Sequence, residues 1–537
     1  MRLTYEGLKN SEAWKKAGIE LPSYNPEELA ARTKKNPTWV HFGIGNIFRI
    51  FIGGIADKLI RAGLMDRGII CVETFDYDVV DKIYAPFDNL ALAVTLHDDG
   101  RTDKRVLGSL CEALKARSSN AAEWSRLKEI FTADSLQLVS FTITEKGYAL
   151  RNADGKYFPH VEADMNNGPD NPTGAMAIVA AMLYERWKAG AKSLAFVSMD
   201  NVSHNGEKLR GSVVETVETW QKKNFVPAEF VDYVKDGSKV SFCWTMIDKI
   251  TPRPSEEVGK TLADLGVEDM QPVITSRKTY IAPFVNAEAP EYLVIEDSFP
   301  NGRPPLEKAG VYMTDRHTVN LSERMKVTTC LNPIHTALCT YACMLGYTLF
   351  ADGMRDPELS KLAHDVGYVE GIPVVEDPKI ISPTKFLDEA INVRFPNPYL
   401  GDTSARIAVD ISQMVGIRFG ETIKAYVSRY GTAEKLNAIP LALAGWLRYL
   451  LAVDDAGKKF ELSPDPMIPE LEKQLQGIEF GKPETFSGQL KPILSNKNIF
   501  GVNLYEAGLG NKIENMFRDM LQGKGAVRAT LKKFLAA

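Results

Sequence analysis

The stretch that most restricts the fold lies at residues 39–73. Trp39-Val40-His41-Phe42 is a short apolar run that passes directly into Gly43-Ile44-Gly45-Asn46-Ile47-Phe48-Arg49, then into an amphipathic stretch ending at Arg61-Ala62-Gly63. A second apolar run, Gly68-Ile69-Ile70-Cys71-Val72, ends at Glu73. Strand, glycine turn, helix with a glycine stop, strand and acid follow one another in the order of a dinucleotide-binding βαβ unit. Gly43 permits the tight turn, Gly45 lets a pyrophosphate approach the backbone, and the first N–H groups of the helix at 46–49 face the phosphates. Glu73 is placed to accept from the adenosine ribose. With Asp76 and Asp78 close by and no arginine following Glu73, this end repels a 2′-phosphate and favours NAD over NADP. Phe48 stands where a third glycine is usual, so the turn by itself also fits a plain tight turn before a helix.

Apolar runs at 89–96 and 136–141 read as further strands, the second opening into Thr142-Ile143-Thr144-Glu145-Lys146-Gly147-Tyr148. Ligands sit at the C-terminal edge of strands in a doubly wound sheet, which makes Thr144 and Glu145 cofactor-site candidates. The same residue types also cap helices without any ligand. A helix at 173–188 precedes a strand at 193–198 that ends in Met199-Asp200-Asn201-Val202-Ser203-His204-Asn205-Gly206. Asp200 joins the cofactor candidates. Asn201 is either turn chemistry or an amide projected into the site.

The chemistry concentrates in KVTTCLNPIH, residues 326–335. An ammonium (Lys326), an amide (Asn332) and an imidazole (His335) are the groups that move a proton and hold a developing alkoxide. From about 304 onward strand signals thin and helical periodicity takes over, at 332–345, 357–365, 383–393, 404–415, 433–453, 468–474 and 504–535. The expected architecture is α/β: an N-terminal Rossmann-type dinucleotide-binding domain with an N-terminal extension over 1–300, and a mostly α-helical substrate and catalytic domain over 301–537. The proline-rich turn at 297–305 marks the boundary.

Composition narrows the class. The 537 residues are 45% hydrophobic and 25% charged, enough for more than one core. A net charge of −5 and a pI near 6.0 argue against a nucleic-acid or anionic-membrane partner. The N-terminus lacks a signal-peptide core, and the most apolar late stretch, 439–453, is too short to span a membrane and holds Pro440 and Arg448. A cytoplasmic protein, monomeric or a small homo-oligomer, is expected. The cysteines at 71, 111, 243, 330, 339 and 343 form no CxxC pair, which suits reduced thiols. His335, Cys339 and Cys343 fall at four-residue steps, but no fourth ligand follows at metal-site spacing, so they read as a buried helix face and no metal is expected.

Taken together, the chain resembles the polyol-specific long-chain dehydrogenase/reductase family, the mannitol dehydrogenase family. The matching pieces run in order along it: HFGIGNIFR (41–49), TITEKGY (142–148), SMDNVSHNG (198–206), MIDKITP (246–252), IEDSFPNGRPPLEKAGV (295–311), KVTTCLNPIH, RFPNP (394–398), RIAVDISQ (406–413), ALAGWLRYL (442–450) and the Asp465-Pro466 pair. The resemblance implies metal-independent hydride transfer between NAD(H) and a small polyol or sugar acid, in a cleft between a Rossmann-type and a helical domain. It assigns Lys326 as general acid/base, Asn201 and Asn332 as oxyanion donors, and His335 as a substrate ligand. Arg406 matches an arginine that grips substrate oxygens, whereas the lysine eight residues later in mannitol-type members is Met414 here. That departure points to a keto sugar acid, fructuronate to mannonate, with Lys249, Arg253 or Arg394 as candidate additional cations. The alternatives are the fructose/mannitol pair, the tagaturonate reaction and, outside the class, a sugar epimerase that retains its NAD.

One spacing stands out. The family's asparagine and histidine follow the lysine by five and eight residues, and here by six and nine. At ~100° per residue, nine steps on a regular helix send His335 to the face opposite Lys326. A π-bulge could absorb the extra residue. Alternatively Asn332 caps a new helix with Pro333 in its first turn, leaving Lys326 on a separate segment.

Overall fold

In the computed structural model, which describes residues 1–535, the apolar runs of the first half pair into a six-stranded sheet. Its strands are β1 (Trp39–Phe42), β2 (Ile69–Glu73), β3 (Leu110–Lys115), β4 (Leu138–Phe141), β5 (Leu194–Ser198) and β6 (Val240–Cys243). They lie in the order β3-β2-β1-β4-β5-β6, and every pairing is parallel. Strand direction forces alternate residues onto opposite faces. Val40, Ile70, Val139 and Phe196 therefore pack on one side with helix residues such as Leu183 and Trp220, and Trp39, Ile69, Leu138 and Ala195 on the other with Phe51, Ile55 and Leu59. Burial on both faces is why these strands read as continuous apolar runs. The strand order reverses at β1/β4, so the crevice beyond their C-terminal ends is the topological switch point where such sheets take ligands.

The chain divides into two compact units at Asn320/Leu321. This lies beyond the proline-rich turn because the chain returns to the first unit after it: Tyr312–Thr314 pairs with Tyr292–Glu296, which pairs with Thr245–Asp248. The first unit also holds a mixed four-stranded sheet made of Ile19–Glu20, Thr102–Leu107, Ala91–Leu96 and Phe284–Glu288, and a hairpin of Val273–Ile274 with Tyr280–Ile281.

From residue 321 on the unit is helical. The helix Ile468–Gln474 matches the periodicity residue for residue. The periodic stretch 504–535 is broken into Gly510–Asp519 and Ala526–Leu535, because Gly523 and Gly525 adopt φ of +111° and +77° between them. The stretch 404–415 likewise splits into Ser404–Ile407 and Ile411–Val415 at Asp410, whose φ is +56°. There the second helix is started by Asp465, which accepts from Ser412 N at 2.7 Å. Periodicity sees a face; it does not see a one-residue break in the backbone.

Candidate active site

The candidate cofactor side is built on the switch point. Gly43, at φ +86°, ends β1 so close to the next strand's exit that a Cβ would stand 2.2 Å from the Thr142 carbonyl oxygen. Only glycine fits. At Gly45 a Cβ would meet nothing within 4 Å, so the backbone there faces open space. That space is a cavity of about 790 Å³ bordered by Gly43–Gly45, the turn after β2 and the turn after β4. The helix that follows opens with a π-helical turn, Phe48–Ile52, and continues as α1 (Gly53–Arg61).

The side chains at 48 and 49 are turned away from that cavity into the core. Phe48 is fully buried and stacks on His41, with centroids 4.0 Å apart and planes 12° apart. Arg49 is equally buried; it donates to the Ala282 carbonyl at 2.8 Å and to Asn46 Oδ1 at 2.8 Å, and burial lowers its pKa to about 10. These two side chains are core, so a contribution to a ligand from this stretch comes through the backbone. Ile44 is also buried, with its carbonyl accepting from Tyr84 Oη at 2.9 Å, and Ile47 is half-buried.

Glu73 borders the cavity and also shapes it. Its Oε1 accepts from the N–H groups of Thr74, Phe75 and Asp76 at 3.0, 2.8 and 3.2 Å, so the carboxylate builds its own turn. Burial raises its pKa against the pull of those donors. The open acceptor at this end is Asp76. It is 4% exposed; Oδ2 accepts from Thr275 and Thr279 at 2.6 and 2.5 Å, while Oδ1 is buried without a hydrogen-bond partner, and the residue lines the cavity. No sequence signal links Asp76 to two threonines some two hundred positions away. The same hairpin brings Arg277 over the Phe75 ring, 5.0 Å from its centroid, and so places a cation beside the cavity that inspection of the residues after Glu73 could not find.

Asp200 holds the far wall. Its carboxylate accepts from Ile143 N and Thr144 N, both at 2.9 Å, and from Tyr148 Oη at 2.5 Å. Thr144 sits at φ +63°, a left-handed conformation rare for a branched residue, and Asp200 pins it there. Asp200 is therefore a positioning residue, with a pKa raised by burial. Thr144 borders the cavity, whereas Glu145 is exposed and pairs with Lys208. Of the two asparagines beyond β5, Asn205 does the turn chemistry: it donates to the Asp200 and Thr245 carbonyls at 2.9 and 3.1 Å and accepts from Thr245 N at 3.0 Å. Asn201 is the exposed one.

In the second unit, the extra residue of KVTTCLNPIH is absorbed by the backbone. α2 (Arg316–Met325) passes into a π-helical turn, Lys326–Cys330, closed by a bond from Leu331 N to the Lys326 carbonyl at 3.1 Å. Leu331 then leaves helical geometry (φ −132°, ψ −66°), and α3 (Asn332–Met344) starts with Pro333 in its first turn, where a missing N–H costs nothing. Bulge and restart, posed as alternatives, occur together. Lys326 is 1% exposed. Asn332 Oδ1 is buried without a hydrogen-bond partner. His335 is half-buried against Phe395 and Phe350, at centroid distances of 4.4 and 5.0 Å.

The candidate cations separate by environment. Lys249 is committed to Glu291 and the Glu288 carbonyl in the first unit. Arg406 is 65% exposed and paired with Asp402, on a short helix that packs against α3. Arg394 is buried at the end of the π-helical segment Ala390–Arg394, beside the Phe395 that packs on His335. Among the described residues no group of three or more His, Cys, Asp or Glu is placed to hold a metal, and no helix is long and apolar enough to cross a membrane.

The family model described as the mannitol dehydrogenase Rossmann domain matches residues 37–308, and that of the mannitol dehydrogenase C-terminal domain matches 319–521. The chain belongs to the mannitol dehydrogenase family. Within that family it is 52% identical over 536 residues, 99% of either chain, to a D-mannonate oxidoreductase of Thermotoga maritima. Among solved structures it is similar to a D-sorbitol dehydrogenase in substrate-free form, with a TM-score of 0.79, 25% identity and 96% and 98% of the two chains covered. It is also similar to the mannitol 2-dehydrogenase of Pseudomonas fluorescens in a ternary complex with NAD and D-mannitol, with a TM-score of 0.72, 25% identity and both chains fully covered. The mannitol dehydrogenase fold thus accounts for both units, the parallel sheet and the helical remainder.

Proposed function

We infer that this mannitol dehydrogenase family member is an NAD(H)-dependent oxidoreductase that interconverts a keto sugar acid and its secondary alcohol, with reduction of D-fructuronate to D-mannonate as its reaction. The observation that carries the substrate is full-length identity of 52% to a D-mannonate oxidoreductase. The residues of the first unit fit a dinucleotide: Gly45 leaves the backbone open to a pyrophosphate, and Asp76 Oδ1 is a buried acceptor awaiting a donor such as a ribose hydroxyl. When bound, the nicotinamide supplies or accepts the hydride.

The proton belongs to the second unit. In reduction the Lys326 ammonium delivers it to the carbonyl oxygen, and in oxidation neutral Lys326 removes it from the hydroxyl. Burial of Lys326 supports the role, because an ammonium held out of bulk water exchanges its proton with a bound substrate oxygen rather than with solvent. Asn332 has a polar atom left open; with either orientation of its amide it can meet a substrate oxygen, as donor to an alkoxide or acceptor from a hydroxyl. Such a donor is worth ~3–4 kcal/mol in the transition state. Asn201 is its proposed counterpart, and His335, held by Phe350 and Phe395, orients the substrate.

NADH consumption is the test, measured with D-fructuronate, tagaturonate and fructose in parallel. Fructuronate is expected to give the highest kcat/KM. Turnover of fructose with silence on fructuronate overturns the substrate. Sugar interconversion without any net change in NADH overturns the reaction class in favour of an epimerase.

A further inference from the structure

The second unit carries a charged group that the chemistry above leaves unused. Arg418 lies in the π-helical segment Gly416–Gly420, which packs against both Lys326–Cys330 and α3. Its Nη1 donates to Thr336 Oγ1 at 2.6 Å, and Thr336 in turn donates to the Asn332 carbonyl at 3.0 Å. The guanidinium is thereby docked on the turn that presents Asn332 and His335.

Its environment is unusual for an arginine of this unit. Arg324 is answered by Glu376 and Glu421, Arg528 by Asp356 and Glu358, and Arg448 by the carbonyls of Met520 and Val453. Arg418 is half-buried, and burial lowers its pKa. Yet among the described residues it has no carboxylate partner, and the Thr336 hydroxyl is the acceptor it uses. A guanidinium partly withdrawn from water with no counter-charge is less favourable than a paired one. A guanidinium carries five N–H donors in a planar fork that matches the two oxygens of a carboxylate, and a single hydroxyl leaves most of that fork open.

We propose that Arg418 reads the substrate's charge: its open N–H groups grip the terminal carboxylate of the keto sugar acid and set the preference for that acid over the uncharged ketose. The inference rests on the sugar-acid reading above. It also explains how the chain does without a cation at Met414, one helical turn earlier, while Arg406 is held by Asp402.

The experiment compares wild type with Arg418→Met, Arg418→Lys and Thr336→Val. For each, kcat and KM are measured for the keto acid and for the ketose that bears CH₂OH in place of its carboxylate, and thermal melts and NADH affinity are recorded alongside. In Arg418→Met the KM for the keto acid is expected to rise ~10- to 100-fold, the usual loss for one charge-assisted pair, with kcat changing far less. The ratio of kcat/KM for acid over ketose falls accordingly. Arg418→Lys restores part of that ratio, since it keeps the charge and loses the fork. Thr336→Val, which only releases the fork, moves the ratio the same way by less. If Arg418→Met does not melt cooperatively, the lysine and Thr336 variants decide the matter. A wild type that prefers the keto acid, with variants that leave the acid-to-ketose ratio unchanged, overturns the proposal and leaves the function standing. A wild type inactive on every keto acid overturns the function and the proposal with it.

Discussion

The cofactor cavity of the first unit is built from the ends of parallel strands, whereas Lys326, Arg394 and Arg418 of the second unit sit where helices are wound to the wider i+5 turn. In the first unit Gly43, Gly45 and Glu73 all lie at or just past a strand's C-terminal residue, and the sheet fixes them. In the second, Lys326 opens the π segment Lys326–Cys330, Arg394 ends Ala390–Arg394, and Arg418 sits in Gly416–Gly420. A regular strand end can place a backbone N–H. A π turn changes which face the side chains after it present, and such turns concentrate at functional sites. One unit works through backbone geometry, the other through side chains on irregular backbone.

The strongest way to break this comparison is Lys326→Ala. If the π turn exists to present the ammonium, kcat/KM for the sugar acid falls ~10³-fold, within the range for loss of a general acid/base, while NADH affinity measured by fluorescence titration stays near wild type. A loss below tenfold removes the chemical role from the second unit's irregular segments.

Two glycine variants sharpen the other half. Gly43→Ala forces a Cβ to 2.2 Å from the Thr142 carbonyl at a φ of +86°, so β1 and β4 must part; about 2–4 kcal/mol of stability and NADH binding are expected to go together. Gly45→Ala adds a methyl to open space, so the melting temperature stays and only NADH affinity drops, by roughly tenfold. Equal effects of the two substitutions on stability would mean that Gly45 is structural and the cavity is not a phosphate seat.

The same contrast governs what could be read from the chain. The βαβ unit was legible because its glycines and apolar runs are local and each has one physical reason. Its side-chain contacts were not: Phe48 and Arg49 turned inward, and the open acceptor proved to be Asp76, shaped by Thr275 and Thr279 from a distant hairpin. In the helical unit the motif residues were legible as chemistry, and the one-residue misfit at Lys326–Asn332 correctly signalled irregular backbone. The breaks at Asp410 and at Gly523–Gly525 went unseen, since periodicity persists across a single left-handed residue. Arg418 was not legible because its link to Thr336 spans 82 positions and it lies one turn beyond the position eight after Arg406.

The finest test of the backbone-built unit is Asp200→Asn. The carboxylate satisfies two backbone N–H groups and the Tyr148 hydroxyl, and an amide has one acceptor atom for three donors. Leaving donors unmet costs ~1–3 kcal/mol and loosens Thr144 at the cavity wall, so NADH binding weakens modestly as well. The deficit has a defined pH dependence. Burial raises the folded-state pKa of Asp200 above its ordinary value, so folding favours the protonated carboxyl. That contribution is fully present below the ordinary carboxylate pKa of about 4 and is lost as pH rises through the raised folded value. Asparagine does not titrate. The stability gap between wild type and Asp200→Asn, followed by urea melts from acid to neutral pH, is therefore expected to be widest in acid and to narrow as pH rises. A gap that widens with pH would mean that the N–H donors outweigh burial and hold Asp200 as an anion.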